Sequence, residues 1–136
     1  MVPAWVAEYV GLPFAECGRD RSGCDCWGLV RLVLAEVFDA EVPSYLGGYA
    51  HTADRHAVAA TVARALPDWT PVLGVPERAG DVALFRIMGQ PTHVGLVVAP
   101  GWMLHVERGT NSALDRLDGM RWASRRFGLY RHWDLA

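Results

Sequence analysis

The chain has 136 residues and half of them (51%) are hydrophobic, enough for one domain with a real core and too apolar for disorder. Lys and Arg total 13 against 15 Asp and Glu, a formal charge of −2, so nothing in the balance marks a nucleic-acid partner. The longest apolar runs are far too short to span a bilayer, and the start Met1-Val2-Pro3-Ala4-Trp5 has neither the basic nor the apolar stretch of a secretory signal.

In chain order, Pro3 to Val10 is predicted as a short helix, with Trp5, Val6, Tyr9 and Val10 on one face and Gly11-Leu12-Pro13 as its stop. Glu16 to Gly23 is a polar loop. The second helix runs from about Asp25 to Phe38, its apolar stripe carried by Leu29, Val30, Val33 and Val37. Pro43 to Ala50 is irregular. Thr52 to Leu66 is Ala-rich and helical, with Asp54 in its first turn. Pro67, Pro71, Gly74 and Pro76 break the stretch between that helix and residue 80.

The texture then changes to β-branched and aromatic runs. Asp81 to Ile87, His93 to Ala99 and Trp102 to Glu107 are predicted as consecutive antiparallel strands, punctuated by Gly89-Gln90-Pro91 and Pro100-Gly101. Met120 to Arg126 is predicted as a helical turn and Phe127 to Trp133 as a last strand; Asp115 and Asp118 lie in a turn-like stretch before them and are set aside as substitutes for His105. Helices first and sheet afterwards predict an α+β fold, one domain over residues 1–136 with the Cys26 helix packed on an antiparallel sheet.

Chemistry concentrates at Cys26. Its sulfur falls at a helix start, where unpaired N–H groups and the positive dipole end favour a thiolate, so this cysteine is expected to react first of the three. His93 opens an apolar strand and His105 lies in the next. The two are nearly equidistant from the intervening turn, so antiparallel pairing sets them side by side. A thiolate, an imidazole base and a third polar group holding that ring form the machinery of papain-type cysteine proteases.

Asp25 suits the N-cap of the Cys26 helix, with a substrate contact as the alternative. All three cysteines fall between Cys17 and Cys26, a poor disulfide framework that leaves only a Cys17–Cys24 bridge open. No Cys and His spacing completes a zinc site, so neither metal nor cofactor is expected. His51, His56 and His132 are read as surface residues. Arg121, Arg125 and Arg126 form either a solvated face or a docking point for an acidic neighbour.

At these residues the chain resembles the NlpC family of bacterial and phage cell-wall cysteine peptidases. Gly11-Leu12-Pro13-Phe14 is similar to its G-x-P-Y, Asp25-Cys26-Trp27-Gly28-Leu29-Val30 to its D-C-S-G-L-V, and Ala79-Gly80-Asp81-Val82-Ala83-Leu84-Phe85 to its P-G-D-L-v-f-F. His93-Val94-Gly95-Leu96-Val97 is similar to its H-V-G-I-y, and Leu117 to Trp133 resembles the W-x-x-R-R-F-x-G ending of the phage-tail branch.

The resemblance implies a papain-like fold, with Cys26 as nucleophile, His93 as base and His105 as its orienting group. It implies a peptidoglycan stem peptide as substrate, with Phe14, Asp25 and Trp27 near it. Residues 42–68 read as an insertion of the kind found in tail peptidases of phages and gene-transfer particles. The implied partners are other tail or tail-tip proteins and the implied location is a virion tail, which matches a start without a secretory signal.

Two departures stand out. Phe14 replaces a tyrosine whose hydroxyl helps hold an oxyanion, and Trp27 replaces a small serine beside the nucleophile. Both favour a second reading, a structural tail-tip subunit with a weakened site. An amidase or acyltransferase using the same thiol is the third.

Overall fold

The computed structural model describes residues 1–135. A 3₁₀ helix, Ala4–Tyr9, stands where a short helix is predicted. The hairpin β1 (Arg19–Asp20) and β2 (Gly23–Cys24) leads into α1 (Cys26–Phe38). After an irregular stretch comes α2 (Arg55–Ala65), which Asp54 caps by accepting from Ala57 N–H. The sheet is built from β3 (Thr70–Pro71), β4 (Val82–Ile87), β5 (Gln90–Ala99), β6 (Trp102–His105), β7 (Ala113–Arg116) and β8 (Arg126–Arg131).

The six strands lie in the order β3-β8-β4-β5-β6-β7 and every neighbouring pair is antiparallel. Helices on an antiparallel sheet make the α+β, papain-like architecture that the sequence predicts. β7 departs from the turn-like reading of Asp115. Its four residues carry little strand propensity of their own, and pairing Leu114 with Leu104 and Ala113 with His105 makes them an edge strand. Among the described residues, no helix is long and apolar enough to cross a membrane.

Alternation along the central strands divides the core in two. On one face, Val82, Leu84, Val94, Leu96, Val98 and Leu104 meet Leu29, Val30, Val33 and Leu34 of α1. On the other, Ala83, Phe85, Val97 and Met103 meet Leu117 and Trp122, so the sheet is covered on both sides. Trp122 is fully buried and is the largest side chain of that second layer.

The start of α1 is set by close packing and by a buried polar knot. A Cβ at Gly28 would stand 2.0 Å from the carbonyl oxygen of Gly18, so only glycine lets the first turn of the helix touch the β1 loop. Asp25 caps the helix by accepting from Gly28 N–H at 2.8 Å. The same carboxylate, 1% exposed, also takes Arg19 Nη1 at 2.8 Å and the Tyr49 hydroxyl at 2.5 Å. Arg19 reaches on to the Ser44 carbonyl, so one buried carboxylate ties the helix start to the segment that precedes α2.

Candidate active site

Cys26 is the first residue of α1, where its own N–H has no intrahelical acceptor. Its sulfur lies against the backbone N–H groups of Trp27 and of Val94, the neighbour of His93 on β5. Cys26 and His93 line one cavity of about 460 Å³. The sheet contributes Val82, Leu84 and Tyr130 to its floor. The segment from Tyr45 to Leu66, α2 included, forms a largely apolar wall through Tyr45, Val58, Val62 and Leu66. Arg55, Glu107 and Arg108 are the charged residues on the lining.

The register of β5 on β6 brings the two imidazoles together. His93 Nε2 and His105 Nδ1 are 2.9 Å apart, and the rings meet edge to face. Both project from the face that Trp122 covers. Its indole stacks on His93 at 5.0 Å and 19° and turns its edge to His105 at 5.2 Å. On the far side of His105, Asp115 Oδ2 stands 3.4 Å from Nε2. His93, His105 and Asp115 are therefore linked in series, and Cys26 lines the same cavity as His93.

Asp115 is the site neighbour that sequence reading misses. A turn-like stretch offers no reason to aim it at His105, and the β6–β7 pairing supplies one. The register sets Ala113 opposite His105 and Asp115 opposite Met103, so Asp115 reaches the imidazole diagonally along the same face.

The electrostatics correct the expected thiolate. Burial first and the adjacent Asp25 carboxylate second push the Cys26 thiol up to about 12, against the two N–H groups that favour charge. The helix start alone is therefore outweighed. Burial likewise holds His93 down at about 3, helped by repulsion from His105 and Arg121. Burial also lowers His105, although Glu107 and Asp115 pull the other way. The resting site holds a neutral thiol and neutral rings.

Among the other predicted residues, Phe14 and Trp27 line the cavity. Asp25 does not: its carboxylate is consumed by the cap, Arg19 and Tyr49, so its place is under the helix and not against a substrate. His132 corrects the surface reading. It is 6% exposed, packs on Trp69 at 5.3 Å and accepts Asp134 N–H. His51 and His56 are exposed as expected. Cys17, Cys24 and Cys26 are all free thiols. Arg121 pairs with Glu107, whereas Arg125 and Arg126 have no carboxylate partner among the described residues.

The chain matches the NlpC/P60 family model over residues 11–131. The NlpC/p60 domain of the peptidoglycan hydrolase SagA is 20% identical, with 93% of this chain and 92% of that one covered at a TM-score of 0.61. An NlpC/P60 family protein from Bacillus cereus is 16% identical at a TM-score of 0.67, covering 100% of this chain and 42% of that one. NlpC1 from Trichomonas vaginalis is 16% identical at 0.62, covering 94% and 41%. The chain thus spans nearly all of one such structure and under half of the other two. No curated protein matches it.

Proposed function

From the premise that this chain belongs to the NlpC/P60 family, we propose that it is a cysteine endopeptidase of peptidoglycan stem peptides. One observation carries the reading: Cys26 opens a helix with its sulfur against the strand residue next to His93, in a shared cavity, while His105 holds the far nitrogen of His93 at 2.9 Å. One of the structural relatives is by name a peptidoglycan hydrolase.

Since the thiol rests protonated, attack and proton transfer go together. As Cys26 Sγ bonds to the carbonyl carbon, its proton passes to His93 Nδ1, the ring atom that His105 leaves over. The Cys26 N–H is a backbone donor for the oxyanion, and Phe14 adds none. His93 then protonates the leaving amine as the C–N bond breaks. Water, giving a proton to His93, cleaves the thioester, and the thiol takes that proton back.

Replacing Cys26 with Ala is expected to abolish hydrolysis of purified peptidoglycan fragments while leaving the circular dichroism spectrum unchanged. Turnover that survives the substitution would reject the reading.

For its setting, the reading is a tail component of a phage or gene-transfer particle that aids wall penetration. The Leu117 to Trp133 segment, with Trp122-Ala123-Ser124-Arg125-Arg126-Phe127-Gly128, supports it by resemblance. Immunodetection in purified particles, and its absence from particle-free lysate fractions, checks this. A structural tail-tip subunit is the second reading, favoured by Phe14, by Trp27 on the cavity wall and by the protonated thiol. An inert wild-type chain that binds other tail proteins tightly would support it.

A further inference from the structure

Two neutral histidines in series have a defined proton order only if something outside the pair imposes it. Each ring carries one N–H, and a contact between His93 Nε2 and His105 Nδ1 works with the proton on either atom. The next group along decides. Asp115 Oδ1 accepts Arg116 N–H at 2.9 Å, and Oδ2 accepts Trp122 Nε1–H at 2.8 Å while facing His105 Nε2 at 3.4 Å. A carboxylate only accepts, so the proton of His105 belongs on Nε2. Nδ1 of His105 is then the acceptor, Nε2 of His93 must donate to it, and the lone pair of His93 is left on Nδ1.

We infer that Asp115, held by the Trp122 indole, sets the tautomer of His105 and through it that of His93, and is thus a positioning residue of the proposed reaction. For its effect on turnover this rests on the peptidase reading; for the proton order it does not.

The surroundings are built to keep that order. Trp122 is fully buried, lies flat on His93 and hydrogen-bonds the carboxylate, so one side chain fixes both the ring plane and the acceptor. Glu107 and Arg121 are the other charges facing the pair. They are paired with each other, and the guanidinium lies 4.7 Å over the Trp122 ring. Arg121 spends its hydrogen bonds on Glu107 and reaches Asp115 only through longer-range attraction, so the contact of Asp115 with His105 stays in place. The carboxyl stays ionised: burial opposes its charge, but the indole, Arg116 N–H and His105 together hold it below its usual range.

The test is direct. Long-range ¹H–¹⁵N correlation spectra of the ¹⁵N-labelled full chain at pH 7 read which ring nitrogen carries each proton. Both His93 and His105 are expected as Nε2–H tautomers. Asp115→Leu removes the acceptor that holds the Nε2 proton, which frees His105 to carry its proton on Nδ1 and sets it against the His93 proton. The variant is expected to show altered ring tautomers and a kcat lower by about 10- to 100-fold with KM unchanged. Asp115→Glu is expected to restore the wild-type tautomers and most of kcat.

A wild-type spectrum with His105 protonated on Nδ1 would overturn the inference, as would a Leu variant with unchanged rings. Altered tautomers with a wild-type kcat would overturn the role in turnover. The spectra need no substrate, so a chain that hydrolyses nothing defeats the peptidase reading and still reports the proton order.

Discussion

His93 Nε2 and His105 Nδ1 stand 2.9 Å apart although they are 12 positions apart in the chain, because β5 and β6 turn back on each other between the two. Trp122 seals the pair on the side away from α1. Neither ring has water enough to carry a charge cheaply, and Arg121 adds its repulsion. The site therefore rests uncharged, and its acid–base behaviour is that of this state rather than of a preformed thiolate–imidazolium pair.

Alkylation of Cys26 reports the resting thiol. With the group held up at about 12, its rate with iodoacetamide should be slow at pH 7 and climb continuously through pH 9 and 10. Peptide mass spectrometry separates Cys26 from Cys17 and Cys24. A rate plateau between pH 5 and 7 would mean that a stabilised thiolate exists after all.

Acid should destabilise the fold earlier than a protein without buried histidines. His93 takes its proton at about 3 when folded and near 6.5 when unfolded, so between these values the unfolded chain binds more protons. Stability then rises with pH, and it is lost as pH falls from about 6.5 toward 3. His105 is lowered too and adds in the same direction. Unfolding free energies from urea titrations should fall stepwise from pH 7 to 5.5 to 4.5, and His93→Phe should flatten the slope. An equal slope in that variant would assign the loss to other groups.

Phe14 lines the cavity where the resembling family carries a hydroxyl. Phe14→Tyr adds an O–H donor with no other change in the ring. If the oxyanion forms beside the Cys26 N–H, kcat should rise by about tenfold or more with KM little changed. An unchanged or lower kcat would place the oxyanion out of reach of position 14.

Gly28→Ala tests the packing under the helix start. The new methyl would meet the Gly18 carbonyl at 2.0 Å and Cys24 Cβ at 3.1 Å, and backbone has nowhere to yield. The cost should be about 3 kcal/mol or more in chemical denaturation, the upper end for overpacking, despite the better helix propensity of alanine. A neutral or stabilised variant would show that the β1 loop moves freely away from α1.

Local patterns carried much of the architecture. The 3.6-residue stripe from Leu29 to Val37 and the aspartate before Cys26 mark a capped helix wherever they occur. The near-continuous apolar runs in residues 82–85 and 94–99 mark strands buried on both faces, and the near-symmetry of His93 and His105 about one turn puts them on one face of neighbouring strands. Periodicity, capping and turn chemistry act between near neighbours, so they can be read from order along the chain.

Asp115 and Asp25 show where that reading stops. Residues 113–116 become a strand only because His105 and Leu104 already lie beside them, and that pairing aims Asp115 at an imidazole. Asp25 looks free to meet a substrate until Arg19 and Tyr49 close on it from two other segments. The protonation of Cys26 inverts for the same reason. A helix start favours charge through its few nearest dipoles, whereas desolvation sums over every group packed around the sulfur, and those groups come from distant parts of the chain.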